Sequence, residues 1–174
     1  MTEREQLVRE ESMQLAIDNN LSCYYFNGKR NPTRLYCIWQ DLKKRCLNPN
    51  HKFFHIYGGR GILLFPEWCS FIPFSTWARS NGYSNTLEID RKNNDGDYEP
   101  SNCRWVTVRI NAVNRSTFKG GAYLHKKSNS FRSQISFKNR KIHLGCFKTM
   151  AEAISTYRYA FAIAECGIQP RKLT

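Results

Sequence analysis

The apolar positions of this chain change period several times, and each change predicts an element. From residue 1 to about 20, Leu7, Val8, Leu15 and Ala16 make a narrow stripe in a charged segment. That is the pattern of an amphipathic helix, and Thr2-Glu3-Arg4-Glu5 has capping-box spacing at its start. Tyr24-Tyr25-Phe26, then Asn27-Gly28 and Asn31-Pro32, predict a short strand and a turn. Leu35, Ile38, Trp39, Leu42 and Cys46 recur at helical spacing, which predicts a helix over 33–46, ended by Asn48-Pro49-Asn50. Residues 62–65 read as a short strand. Pro66-Glu67-Trp68 opens a helical stretch that Pro73 kinks or splits in two. Trp68, Phe71, Phe74, Trp77 and Ala78 form its core face.

From Leu87 the period becomes two. Leu87 and Ile89 alternate with Glu88 and Asp90, so a strand buries one face and offers Asp90 on the other. Asn93-Asn94-Asp95-Gly96-Asp97 has turn chemistry, and Asn102-Cys103-Arg104-Trp105 returns as a second strand. A helix follows over 106–114, with Val106, Ile110 and Val113 on one side and Asn111 and Asn114 off it. Past residue 117 three strands are predicted, over 122–126, 131–138 and 141–147. In the middle one Phe131, Ser133, Ile135 and Phe137 alternate with Arg132, Gln134, Ser136 and Lys138, and Asn139-Arg140 makes a tight turn. Thr149-Met150-Ala151-Glu152 is a capping box for a last helix, lined by Ala153, Ile154, Tyr157, Phe161 and Ala164 and ended by Gly167 and Pro170. The expectation is an α+β protein: a central ββα unit with flanking helices, then a small three-stranded antiparallel sheet packed on one helix. The domain boundaries read as an N-terminal helical arm over 1–32, a central domain over 33–116 and a C-terminal domain over 117–174.

Composition sharpens this picture in two ways. The chain has 174 residues, 41% of them hydrophobic, which supports packed cores rather than disorder. Its formal net charge is +13, and residues 117–174 carry eleven Lys and Arg against two Glu, a net +9. Such an excess favours a polyanion, nucleic acid first, as partner. No apolar run reaches the length of a membrane span and no signal-peptide core is present, so a cytoplasmic protein is expected, with neither membrane nor small-molecule substrate. Seven Cys occur without a Cys-x-x-Cys pair, which predicts reduced thiols and no zinc ribbon.

The motif over 87–116 resembles the HNH (ββα-metal) nucleases, in which an Asp on the first strand and a helix residue hold one divalent metal and an Asn braces the loop. Asp90, Asn111 and Asn102 match those three positions. The family's water-activating His is replaced here by Arg91, whose pKa, above ~12, bars it from acting as a base. The match is closer to the PacI-like Asp-Arg/Tyr/Asn pattern, carried by Asp90, Arg91, Tyr98 and Asn111. The wider run from Ile38 through Tyr57-Gly58-Gly59-Arg60-Gly61 to the loop is similar to phage HNH proteins, some of them homing endonucleases. The resemblance implies Mg²⁺, or Mn²⁺, on Asp90 and Asn111, with Tyr98 hydrogen-bonding or deprotonating water, or attacking directly. Arg91 beside it is expected to lower the phenol's pKa and to hold a phosphate. His51 and His55 stand as alternative bases or phosphate ligands.

Residues 119–164 resemble the DNA-binding domain of plant ethylene-response factors, through Lys119-Gly120, the aromatic strand, Leu144-Gly145-Cys146-Phe147 and the capped Ala-rich helix. In that family the sheet enters the major groove. The resemblance nominates His125, Lys127, Arg132, Gln134, Lys138, Arg140 and Lys141 as DNA contacts, and Arg60, Arg104 and Arg115 join them from the nuclease region. The functional expectation is a Mg²⁺-dependent endonuclease of homing type acting on double-stranded DNA, monomer or homodimer. The alternative is a DNA-binding regulatory protein that keeps the fold without catalysis.

Overall fold

The computed structural model describes residues 2–19, 21–115 and 118–172. The architecture is α+β, and the chain divides into two compact units, 1–111 and 112–174. The boundary expected at 116/117 lies outside the described residues. No helix among those described is long and apolar enough to cross a membrane.

The first unit opens with α1 (Glu3–Asp18), capped as its sequence predicts: Thr2 N–H donates to Glu5 Oε2 at 2.8 Å and Glu5 N–H to Thr2 Oγ1 at 3.3 Å. The expected apolar stripe does not hold as a buried face. Leu7, Val8 and Leu15 are exposed and only Ala16 of the four is buried, because Glu11 and Arg4 interrupt the same side of the helix. A hairpin follows, β1 (Cys23–Phe26) against β2 (Lys29–Pro32), where one strand and a turn were expected. Asn27 and Gly28, both at positive φ, close it. Arg9 Nε donates to Tyr24 Oη at 3.3 Å, tying α1 to this hairpin.

Thr33 caps α2 (Arg34–Leu47) through the Tyr36 N–H, and the helix buries Leu35, Trp39, Leu42 and Cys46. These join Ile62, Leu64, Trp68, Tyr98 and Cys103, with Phe74 and Ala78 of α3 (Phe71–Ser80), in one core. Trp68 is its centre. Its ring lies 4.5 Å from Trp77 and 5.2 Å from Phe74, and its carbonyl accepts Trp39 Nε1–H at 2.7 Å. The segment expected to be a strand over 62–65 makes only a single parallel bridge, Leu64 to Tyr98. Two short helices replace one long one there, as Pro73 requires: a 3₁₀ turn over Pro66–Cys69, then α3 with Pro73 in its first turn, where the missing N–H is harmless. Gly58 lets the preceding 3₁₀ turn touch α2. A Cβ there would fall 2.1 Å from the Cys46 carbonyl oxygen.

The ββα unit consists of β3 (Glu88–Arg91), β4 (Cys103–Val106) and α4 (Val108–Asn114). The strands are antiparallel, with Ile89 opposite Trp105, Asp90 opposite Arg104 and Arg91 opposite Cys103. Val106 belongs to the strand rather than the helix.

In the second unit β5 (Ala122–His125), β6 (Ser130–Phe137) and β7 (Arg140–Phe147) form an antiparallel sheet in the order β5-β6-β7, packed on α5 (Met150–Glu165). Ser133, Ile135, Leu144, Ala153 and Phe161 make its core. The predicted capping box is present, with Glu152 N–H on Thr149 Oγ1 and Thr149 N–H on Glu152 Oε2. Those bonds hold the Glu152 carboxyl below the usual carboxylate range. The turn between β6 and β7 falls on Lys138-Asn139, both at positive φ, one residue earlier than expected.

Candidate functional site

The hairpin β3–β4 has two chemically different faces, because successive side chains point to opposite sides of a strand. Ile89, Arg91, Cys103 and Trp105 face the core. Glu88, Asp90 and Arg104 face the other way, toward Asn111 on α4. Asp90 is 4% exposed, and its Oδ2 accepts Arg104 Nε–H at 2.9 Å from a guanidinium that stays 41% exposed. Asn111 Nδ2–H donates to Glu88 Oε2 at 2.5 Å. Arg104, expected on DNA, is thus the counter-ion of Asp90. Glu88 is a member of this face that the sequence pattern contained but that the motif comparison passed over: it stands two residues before Asp90, at strand period.

Asn102 braces the loop as expected. Its Nδ2 donates to the Asn93 and Asp97 carbonyls at 3.1 and 2.9 Å, and its Oδ1 accepts the Asn93 N–H at 2.9 Å. Gly96 is required beside it, since a Cβ would stand 2.9 Å from Asn102 Nδ2. The loop is also tied to the preceding segment. Leu63 N–H donates to Asp97 Oδ1 at 2.8 Å, Tyr98 N–H to the Leu63 carbonyl at 3.0 Å, and Arg60 pairs with Asp95 at 2.5 Å. Arg60 is therefore in a partly exposed ion pair at the loop's rim.

Arg91 and Tyr98 lie on the core side of the hairpin. Arg91 is 7% exposed; its Nη1 donates to the Gly96 carbonyl at 2.7 Å, and its guanidinium stacks 4.7 Å from the Tyr98 ring and 5.3 Å from Tyr57. Tyr98 is 4% exposed and stacks on Tyr57, with ring centres 6.1 Å apart. Tyr57 in turn takes an Arg45 Nη1–H at 3.5 Å, and Arg45 pairs with Asp41. The expectation that Arg91 lowers the Tyr98 pKa is corrected here. Arg91 does favour the phenolate, but burial is the larger effect, and the neighbouring Tyr57 adds to it, so the phenol is pushed up from its ordinary value. The same burial pushes the Cys46 thiol up to about 11 and Cys103 up to about 12. The four residues of the Asp-Arg/Tyr/Asn pattern thus divide between the two faces: Arg91 meets Tyr98 on the core side, while on the other side Asp90 pairs with Arg104 and Asn111 bonds Glu88.

His51 packs edge-on against Phe53 at 5.8 Å with its Nδ1 buried, and His55 is exposed on the 3₁₀ turn Phe54–Ile56. On α2, Lys43 donates to the Cys69 carbonyl at 3.1 Å and lies over Trp39, while Lys44 is exposed.

As a cation site the polar face offers hard oxygen donors: the carboxylates of Asp90 and Glu88 and the amide oxygen of Asn111. That chemistry fits Mg²⁺ or Mn²⁺ better than Zn²⁺. Among the described residues no three His, Cys, Asp or Glu side chains are grouped so as to hold a metal ion.

On the C-terminal sheet the outer face carries Arg132, Gln134 and Ser136 on β6, with Tyr123 opposite Arg132 on one side and Cys146 on the other. Arg132 Nε is buried without a hydrogen-bond partner. A bulge after Ser133 makes Leu144 and Gly145 both buried and brings His143 opposite Gln134, 3.7 Å from Cys146 Sγ. His143, between the apolar Ile142 and Leu144, stands where alternation places it; the choice of DNA contacts passed over it. Lys141, opposite Ser136, and Arg140 are exposed. Lys138 is in the turn rather than on the strand, with its Nζ 5.5 Å from the Phe137 ring. Lys127 is exposed on the 3₁₀ turn Lys126–Ser128, and His125 Nδ1 lies 2.8 Å from Ser128 Oγ. Arg115 is exposed, and its carbonyl accepts Arg158 Nη2–H at 3.1 Å.

No known protein family, characterised protein or solved structure matches this chain. The functional argument therefore rests on the site itself.

Proposed function

We propose that the chain is a Mg²⁺-dependent DNA endonuclease of HNH type, cutting or nicking double-stranded DNA. The observation that carries this reading is the polar face of the hairpin. A buried carboxylate, Asp90, is paired with Arg104 across the hairpin, on the strand face where Glu88 bonds Asn111 of the following helix, and Asn102 braces the loop between the strands. Asp90 and Asn111 would hold the metal. Once bound, Mg²⁺ supplies Lewis-acid polarisation of the scissile phosphate and stabilises the leaving oxygen. Arg104 pairs with Asp90 and, with its guanidinium partly in solvent, offers donors to a phosphate. Arg60 at the loop's rim adds a second cation. The outer sheet face, with Arg132, Gln134, Lys141 and the added His143, and Arg140 exposed at the start of β7, binds duplex DNA, its cations reaching phosphates and its polar side chains base edges.

Arg91 and Tyr98 enter this reading as the packed support beneath the site. A buried phenol held above its ordinary pKa keeps its proton at neutral pH and donates rather than abstracts. The same feature favours a second reading, a DNA-binding protein that cleaves nothing: the position of the family's base is filled by a guanidinium locked to the Gly96 carbonyl.

The deciding experiment is nicking of supercoiled DNA with Mg²⁺ or with chelator. Metal-dependent nicking that disappears in Asp90→Ala and survives in Tyr98→Phe is the expected result. Salt-sensitive DNA binding without nicking on any DNA tested selects the second reading. Nicking abolished by Tyr98→Phe in a folded protein would return the phenol to the chemistry.

A further inference from the structure

We propose that Glu88 is a positioning residue for the cation site: by accepting a hydrogen bond from Asn111 it decides which end of that amide faces the metal. This rests on the nuclease reading above. An amide side chain offers two ends of nearly equal shape, one an acceptor that can bind a cation and one a pair of donors that cannot. Something must choose between them. An ionised carboxylate accepts only, so the end of Asn111 turned to Glu88 is its Nδ2, here 2.5 Å from Glu88 Oε2. Oδ1 is thereby turned away from Glu88, free to meet a hard cation. The choice is made by chemistry rather than by shape.

Three features make Glu88 suited to this work. It lies on β3 two residues from Asp90, so strand period puts both carboxylates on the face at which Asn111 of α4 is bound. It is half-buried, which strengthens the bond relative to one in open water. Its partner across the hairpin is Val106, which offers it no competing charge, whereas Asp90 is opposite Arg104 and is paired with it. Partners of this kind, one bond removed from a metal, typically change affinity by about 10- to 100-fold when lost.

The test is Mn²⁺ binding to the full chain by calorimetry, read beside nicking. Glu88→Ala is expected to weaken Mn²⁺ binding about tenfold, with nicking recovered at higher Mn²⁺. Glu88→Gln should restore only part of that loss, because its Oε1 can still accept from Asn111 while its Nε2 offers the donor that lets the Asn111 amide turn round. In an Asn111→Asp background, where both ends of the side chain are oxygens and there is nothing to orient, Glu88→Ala should have no weakening effect. Unchanged Mn²⁺ affinity in Glu88→Ala overturns the proposal. So does full wild-type affinity in Glu88→Gln, which would mean that no acceptor-only partner is needed to orient Asn111. Should Glu88→Ala fail to fold, the isosteric Glu88→Gln and the double variant decide. A wild-type chain that binds Mn²⁺ but never nicks defeats the nuclease reading and leaves the role of Glu88 standing. One that binds no Mn²⁺ defeats both.

Discussion

The two faces of one four-residue strand divide the candidate chemistry of this protein. On one side Glu88 and Asp90 meet Arg104 and Asn111, each with a specific polar partner and with solvent within reach of Arg104. On the other, Ile89 and Arg91 meet Cys103, Trp105, Tyr57 and Tyr98 in a packed core. A carboxylate and a guanidinium adjacent in sequence thus do opposite work. Asp90 is paired with a guanidinium that stays partly in solvent. Arg91 spends its charge on a carbonyl and two aromatic faces inside the fold. The lesson is that adjacency in a motif does not make a shared site on a strand, where neighbours are separated by the sheet itself.

The comparison can be broken most directly at its polar side. Asp90→Ala should lower metal-dependent nicking on the order of 10³-fold, the several kcal/mol a bound Lewis acid supplies, while thermal stability changes little. A large loss of stability together with activity would show that the two faces are not separable. The core side should behave in reverse. Arg91→Ala removes a buried guanidinium and leaves the Gly96 carbonyl unpaired, and should cost about 3 kcal/mol of unfolding free energy in urea melts. If Arg91→Ala keeps stability and loses nicking, Arg91 belongs to the chemistry after all.

Asn102 links the faces by holding the loop between them. Asn102→Ala forfeits three hydrogen bonds and should cost roughly 2 kcal/mol, with faster amide exchange across 93–97 as the local signature. A smaller effect comes from pH. Cys46 and Cys103 hold their protons in the fold up to about 11 and about 12, whereas unfolded thiols lose theirs near roughly 8.5. The folded chain binds more protons in that interval, so stability should be complete below about pH 8 and fall as pH rises from about 9 through 11–12. Urea melts at pH 8 and pH 10 measure the slope, and Cys46→Ala should flatten it. The smallest effect is expected for Tyr98→Phe, with about 1 kcal/mol or less in stability and nicking preserved within roughly threefold.

Much of the fold was legible because local signals were strong. The capping residues Thr2, Thr33 and Thr149, the Asn27-Gly28 turn and the alternation through Ile135 each specify backbone geometry by contacts a few residues away. The α1 stripe misled because a few apolar residues at loose helical spacing say nothing about whether a partner surface exists. The bulge at Leu144 escaped because alternation assumes an unbroken ladder, and one extra residue resets it.

By itself the sequence determined the α+β class, the ββα order and the concentration of positive charge in the last 58 residues, 117–174. Each follows from short-range chemistry or from composition, which no tertiary arrangement alters. Only the tertiary structure decided that Asp90 and Arg91 part company, that Tyr98 is core, that Arg104 neutralises Asp90 and that Glu88 holds Asn111. Those facts depend on what packs against each face of a strand, 14 residues from Asp90 to Arg104 and 23 from Glu88 to Asn111. Spacing in sequence carries no information about which side of a sheet a distant partner will cover.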